Sequence, residues 1–236
     1  MMIMCKGLII LDFDGTLCDT RETIVRTLQM TMRRMGLELR DEATCASTIG
    51  LPLADGFHAM YPEMERGMFE ACAVEYRKTF EENRKLLLPK VFPGVSETLR
   101  TLHGSGFQLS VASSRSRRSL MSFIEDFGFA ELMSLVIGAD DVKAHKPDPE
   151  PVMETLRRLS TAAADTLVVG DMPFDILMGK GAGAATCGVT YGNATEAQLR
   201  ESGADFIISS FPQLLDLAWI TERRSFRTAA GRARPS

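Results

Sequence analysis

Residues Gly7 to Thr20 read "GLIILDFDGTLCDT". Four apolar residues, Leu8 to Leu11, run without alternation into Asp12, Phe13 and Asp14, and a glycine follows at once. An unbroken apolar run of this length predicts a strand buried on both faces, as in a parallel sheet covered by helices. Two carboxylates at its end need a reason beyond packing, because charged groups are costly to bury unless they are paired or bound to an ion. Residues two apart on an extended chain point to the same side, so Asp12 and Asp14 can reach one site, and Gly15 lets the chain turn away. Carboxylates brought together resist ionisation unless a cation reverses the local balance. Oxygen donors without a neighbouring His or Cys call for a hard cation, and Mg2+ is the usual partner of one or two carboxylates plus a phosphate.

Outward from this strand the pattern changes twice. Ile24, Leu28, Met32 and Met35 recur at three or four residues and Gly36 stands where a helix stops, which predicts a helix from about Thr20 to Met35 with a capping box between Asp19 and Glu22. Met68, Cys72, Tyr76, Thr79 and Phe80 give a second helical series that ends before Pro89. Residues 18–91 are therefore expected to be all-helical. From Val95 on, helical stretches alternate with the short apolar runs "FQLSVAS", "MSLVIG", "TLVVGD", "ATCGVTY" and "ADFIIS", the signature of a parallel sheet with crossover helices on both faces. The expected architecture is an α/β, Rossmann-like doubly wound sheet built from residues 1–17 and 92–219, with residues 18–91 inserted as a helical cap and 220–236 as a loose basic tail.

In such a sheet, ligands collect beyond the carboxyl ends of the strands. Those ends deliver Asp12 and Asp14, then Ser113 after "LSVA" and Asp171 after "LVVG", while "KAHKPDPEP" supplies Lys146 ahead of the next helix. Pro147 and Pro149 stiffen the loop that presents this lysine.

The stretches "DFDGTLCDT", "VASS", "KPDPEP" and "GDMPFDI" resemble, in order and spacing, the four motifs of the haloacid dehalogenase superfamily of phosphohydrolases. "TIGLPL" and the segment from "GDMPFDI" to "SSFPQLL" resemble its phosphoglycolate-phosphatase-like members, which carry a helical C1-type cap, and the likeness spans residues 5–219. The resemblance implies that Asp12 is a nucleophile accepting the phosphoryl group, and that Asp14 serves as acid and then base. It implies a Mg2+ site formed by Asp12, Asp171 and the Asp14 backbone carbonyl, supported from behind by Asp175. Gly15, Thr16, Ser113, Ser114, Arg115 and Lys146 would surround the phosphoryl group. The expected activity is Mg2+-dependent hydrolysis of a small phosphorylated metabolite, phosphoglycolate being favoured. A phosphosugar mutase resembling β-phosphoglucomutase is the first alternative, but the cap positions where those enzymes have His and Arg are here Ile24 and a site near Leu53. A pyrophosphatase with Arg115 on the far phosphate and a catalytically silent binding protein are the others.

Plainer readings compete at several positions. A calcium loop of the EF-hand kind needs its glycine at position six, whereas Gly15 is fourth counting from Asp12. Arg115, Arg117 and Arg118 open a helix and read as an exposed basic face, with Arg115 the exception. "GKGAGAA" lacks dinucleotide spacing, "NAT" at Asn193 reads as a polar loop, and His58, His103 and His145 have no partner at metal-ligand spacing.

The five cysteines form no CxxC pair and read as reduced thiols. No apolar stretch approaches a membrane span, and Lys6 and Asp12 interrupt any leader-like run, so a cytoplasmic protein is expected. The last sixteen residues hold five arginines and one glutamate; their net +4 leaves −8 on the rest of a chain whose total is −4. An acidic body disfavours nucleic acid as a partner. The sequence leaves monomer or homodimer open.

Overall fold

A computed structural model describes residues 7–84 and 86–230. The opening apolar run forms β1 (Leu8–Leu11), all four residues buried. A two-residue strand, β2 (Cys18–Asp19), then pairs antiparallel with β3 (Lys90–Val91). Between the two lie only helices and loops: α1 (Arg21–Arg34), α2 (Glu42–Ala46), α3 (Leu53–Met60) and α4 (Arg66–Asn83). The remaining strands are β4 (Gln108–Ala112), β5 (Leu135–Ile137), β6 (Thr166–Gly170), β7 (Ala185–Val189) and β8 (Phe206–Ile208). Each apolar run named above supplies one of them. The six longer strands form one sheet in the order β5-β4-β1-β6-β7-β8, and every pairing in it is parallel.

The strand period of two separates the core into two faces. Ile9, Leu11, Leu109, Val111, Leu167 and Val169 point to one face, where they meet α5 (Val95–Gly104) and α6 (Arg117–Asp126) through Leu99, Leu102, Phe123 and Ile124. Leu8, Ile10, Ala112 and Val168 point to the other, against Val152 of α7 (Glu150–Leu159) and Met178 of α8 (Pro173–Gly181). The first layer continues into α1, α3 and α4 through Leu28, Met32, Phe57, Cys72 and Phe80. Three threonines also lie buried on α1; Thr27 and Thr31 donate to the carbonyls four residues back, and Thr23 donates to Leu87 O. Their hydroxyls are thereby satisfied inside an apolar layer.

Two expectations are corrected. Asp19 does not cap α1: its backbone is held extended opposite Lys90, and Thr20 is the N-cap without a side-chain bond, its Oγ1 buried and unpartnered among the described residues. The region expected to be loose from residue 220 contains α10 (Ala218–Ala230). Trp219 and Ile220 are buried, Trp219 packs against Phe107, and the Arg223 guanidinium lies 4.0 Å from the Trp219 ring while donating to Ala164 O at 2.9 Å. Burial of a large ring with a stacked cation holds this end to the sheet. Residues 231–236 of the expected tail lie outside the described residues, as do 1–6, with Cys5 and the leader-like start. Cys18, Cys45, Cys72 and Cys187 are free and buried. No described helix is long and apolar enough to cross a membrane.

Candidate active site

β1 and β6 are neighbours whose onward connections leave in opposite directions, β1 toward β4 and β6 toward β7. A crevice opens at such a reversal, beyond the strand ends. Asp12 follows β1 and Asp171 follows β6, and the register is set by Leu11 opposite Val169 and by the Asp12 amide donating to Val169 O at 2.9 Å. Topology thus brings two carboxylates 159 positions apart in sequence to one crevice.

Asp175 joins them from the first turn of α8, where its Oδ2 accepts from the Met172 amide at 3.0 Å. One oxygen from each of Asp12, Asp171 and Asp175 lies within 4.8 Å of the others, and all three residues are buried. Lys146, also buried, donates to Asp12 Oδ1 at 2.5 Å and to Asp175 Oδ1 at 2.6 Å. Asp171 Oδ2 accepts from the amide of Asn193 at 2.7 Å and from its side-chain nitrogen at 2.8 Å. Thr16 Oγ1 is 3.5 Å from Asp171 Oδ1. Gly15, at φ +85°, and Gly192 leave room for Asp171: a Cβ on Gly15 would stand 2.1 Å from Asp171 Oδ2, and one on Gly192 2.3 Å from Asp171 Cβ.

Three ionised carboxylates against one ammonium would leave two negative charges in a buried cluster. The pKa shifts follow from that imbalance. Burial, with the charges of Asp175, Asp171 and Asp14, holds Asp12 well above the ordinary carboxylate range despite Lys146. Burial pushes Asp171 up to about 7, the Asp175 charge adding to it and the Asn193 hydrogen bonds opposing it. Burial works against the Lys146 charge, but Asp12 and Asp175 outweigh it and raise its pKa.

A divalent cation fits this cluster. Both Asp175 oxygens are committed to Lys146 and Met172, whereas Asp12 Oδ2 accepts no hydrogen bond from the described residues and Asp171 Oδ1 has only the long Thr16 contact. The two available oxygens are hard donors of the kind Mg2+ takes, in a cluster where one oxygen from each of the three carboxylates lies within 4.8 Å of the others.

The carboxylate of Asp14 is engaged elsewhere. Arg115 Nε donates to its Oδ2 at 2.7 Å and Nη2 to its Oδ1 at 2.7 Å, a two-pronged pair whose side chains are each 10% exposed. Burial opposes the Arg115 charge, and Asp14 more than restores it. Asp12, Asp14, Ser113, Ser114 and Arg115 line a cavity of about 820 Å3 whose lining also includes Ile24, Leu28, Ile49, Leu53, Tyr76 and Phe80.

The residues expected at the site, Ser114 apart, divide into three groups. Asp12, Asp14, Ser113 and Arg115 face the cavity; Lys146, Asp171 and Asp175 lie buried around Asp12; Gly15 and Thr16 do not line the cavity but pack against Asp171. Ser114 lines the cavity, yet its hydroxyl donates to Gly50 O at 2.6 Å, joining the end of β4 to the loop before α3. Arg117 binds Val136 O and Asp141, so of this arginine run Arg118 is the one that is exposed and lines the cavity. Asn193, read as part of a polar loop, is the residue that sequence reasoning missed; its place just beyond the end of β7 is the signal that could have found it.

The profile of the haloacid dehalogenase-like hydrolases matches residues 9–189. A Dickeya dadantii protein named "Probable phosphatase IndB" is 38% identical over 220 residues, covering 90% of this chain and 94% of its own. Pyrophosphatase PpaX of Halalkalibacterium halodurans is 33% identical, with 91% and 98% covered. A phosphoglycolate phosphatase of Yersinia pseudotuberculosis is 30% identical, with 86% and 89% covered. Among solved structures, a protein from Bacteroides fragilis described as a haloacid dehalogenase-like hydrolase superposes with a TM-score of 0.84 at 28% identity, covering 88% of this chain and 99% of that one. With the sheet order, the strand-end carboxylates and these likenesses in agreement, the chain belongs to the haloacid dehalogenase-like hydrolase family.

Proposed function

We propose that this hydrolase is a Mg2+-dependent phosphatase that passes the phosphoryl group of a small phosphorylated metabolite to Asp12 and then to water. It is thus a phosphoric monoester hydrolase, the class for which its phosphatase relatives are named. The observation that carries the reading is Asp12 itself. It is buried at the sheet's reversal point and opens on the cavity, with one oxygen held by Lys146 and the other free of hydrogen bonds from the described residues.

Lys146 holds the carboxylate through Oδ1, and its charge moderates the repulsion between carboxylate and phosphate. That repulsion is about 4 kcal/mol for unit charges 4 Å apart at an effective dielectric near 20. A divalent cation held by Asp12, Asp171 and the Asp14 carbonyl would supply the rest of the charge neutralisation. Ser113 offers its hydroxyl to the phosphoryl oxygens from the end of β4. Once released from Arg115, Asp14 takes up a proton, gives it to the leaving oxygen and, again a carboxylate, later takes the proton of the attacking water. Residues 18–91 act as a cap whose apolar wall excludes water from the reacting groups. The site works in the cytoplasm.

Phosphoglycolate is the favoured substrate, in keeping with the Yersinia relative. Pyrophosphate is the second reading, favoured by the PpaX relative and by Arg115 and Arg118 at the cavity. Ile24, which stands where phosphosugar mutases of this superfamily carry His, and Leu53, near which they carry Arg, both line the cavity with apolar side chains and so disfavour a mutase. Phosphate release from phosphoglycolate, hexose phosphates, nucleotides and pyrophosphate, with and without EDTA, tests the proposal. The expected result is EDTA-sensitive release from phosphoglycolate; absence of release from the whole panel with Mg2+ present would overturn it.

A further inference from the structure

The Arg115 guanidinium is fixed from three sides. Its carbon lies 5.9 Å from the Phe13 ring centre, 5.5 Å from Phe80 and 5.1 Å from Phe123. Two of its five N–H donors serve Asp14, and Nη1 reaches Ser119 Oγ only at 3.5 Å. Arg115 and Asp12 line the same cavity. Arg77 and Arg118 line the cavity too, but they are exposed and share it with Asp55, Glu70 and Glu81. A guanidinium shielded by rings is less screened than those two and loses less freedom on gripping a planar anion.

We propose that Arg115 anchors a second anionic group of the substrate, a carboxylate or phosphate a few bonds from the transferred phosphoryl group, and that this anion takes the place of the Asp14 carboxylate in the guanidinium fork. The fork grips one carboxylate with two prongs at a time. Since the rings hold Arg115 in place, Asp14 is the partner that moves, and it sits on the turn after β1 beside the attacking residue. Binding of the doubly anionic substrate is thus coupled to release of Asp14 for work at the leaving oxygen. A substrate with a single phosphate and no second anion leaves Asp14 paired. This inference rests on the phosphatase reading and narrows it to small phosphate esters or anhydrides that carry two anionic groups.

The experiment compares kcat/KM at saturating Mg2+ for phosphoglycolate, pyrophosphate and ethyl phosphate, the last being phosphoglycolate with a methyl in place of its carboxylate. Wild type is expected to favour at least one doubly anionic substrate over ethyl phosphate by about 100-fold, the scale of a paired charge-assisted contact. In Arg115→Met that preference falls by about 10-fold or more, and the substrate that loses it identifies whether a carboxylate or a phosphate is held. Arg115→Lys, which keeps the charge but not the fork, carries the same test should the Met variant fail to fold, again with a drop of about 10-fold. A folded variant whose preference is unchanged, both substrate classes having declined in parallel, overturns the inference and leaves the phosphatase reading standing. If wild type releases phosphate from none of the three or from any other ester, the phosphatase reading falls and this inference with it.

Discussion

Asn193 donates twice to a single oxygen of Asp171, from its backbone amide at 2.7 Å and from its side chain at 2.8 Å. The loop after β7 thereby fixes which oxygen of the β6 carboxylate stays available to an ion. Asn193→Ala keeps the backbone bond and deletes the other, so Asp171 is less well oriented. The expected outcome is a 10- to 100-fold rise in the Mg2+ concentration for half-maximal activity, about the usual effect of losing a support behind a metal ligand, with activity regained at high Mg2+. A magnesium titration of wild type and variant checks it.

Asp12→Asn removes the oxygen proposed to attack while preserving shape. Phosphatase turnover should drop by at least about 1,000-fold. Lys146 keeps Asp175 as an anionic partner and one source of carboxylate repulsion is gone, so the melting temperature in chelator should stay within about 4 °C of wild type. Retention of full turnover by this variant would refute the assignment of the nucleophile.

The buried carboxylates give the metal-free protein a definite pH dependence. Asp171 has a folded-state pKa of about 7 against 3.8 for the ordinary group, so the unfolded chain gives up this proton first. Stability tied to it is complete below about pH 4 and is lost as pH rises through about 7, by an amount on the order of a few kcal/mol. In EDTA, the melting temperature should therefore fall by about 5–10 °C between pH 5 and pH 8. Mg2+ binds the ionised form, so it should raise the melting temperature more at pH 8 than at pH 5. A flat profile in EDTA would show that the cluster carries no such strain.

Gly15→Ala tests how tightly the turn after β1 is fitted. The new methyl group would stand 2.1 Å from Asp171 Oδ2 on a backbone at φ +85°. Loss of more than about 1 kcal/mol of stability is expected from the backbone conformation alone, together with weaker Mg2+ binding because Asp171 is displaced. Thermal melts with and without Mg2+ separate the two effects: the gain in melting temperature on adding Mg2+ should be smaller than in wild type.

Much of this was legible in the sequence, for physical reasons that differ from element to element. Leu8 to Leu11 announce a strand covered on both faces because such a strand has no solvent side to mark by alternation. Asp12, Asp171 and Ser113 can be picked out because polar residues directly after buried strands are placed by the strands themselves. The cap of α1 and the end of the chain were not legible. Asp19 has a good capping side chain, but pairing of β2 with β3, some 70 residues apart, holds its backbone extended. The arginine-rich end reads as solvated until Trp219 is seen buried against Phe107 with Arg223 stacked on it.

The sequence by itself determined the alternation of strands and helices and the place of Asp12 and Asp171 at strand ends, since these follow from local periodicity and from residues adjacent to buried runs; the attacking role proposed for Asp12 came from the resemblance to a known family. Only the tertiary structure decided the partners: that Lys146 bridges Asp12 and Asp175, that Asn193 holds Asp171, and that Arg115 grips Asp14 within a box of three aromatic rings. Each of those contacts joins loops from different strands. Their distances depend on sheet order and on the packing of neighbouring side chains, which no local pattern of residues encodes.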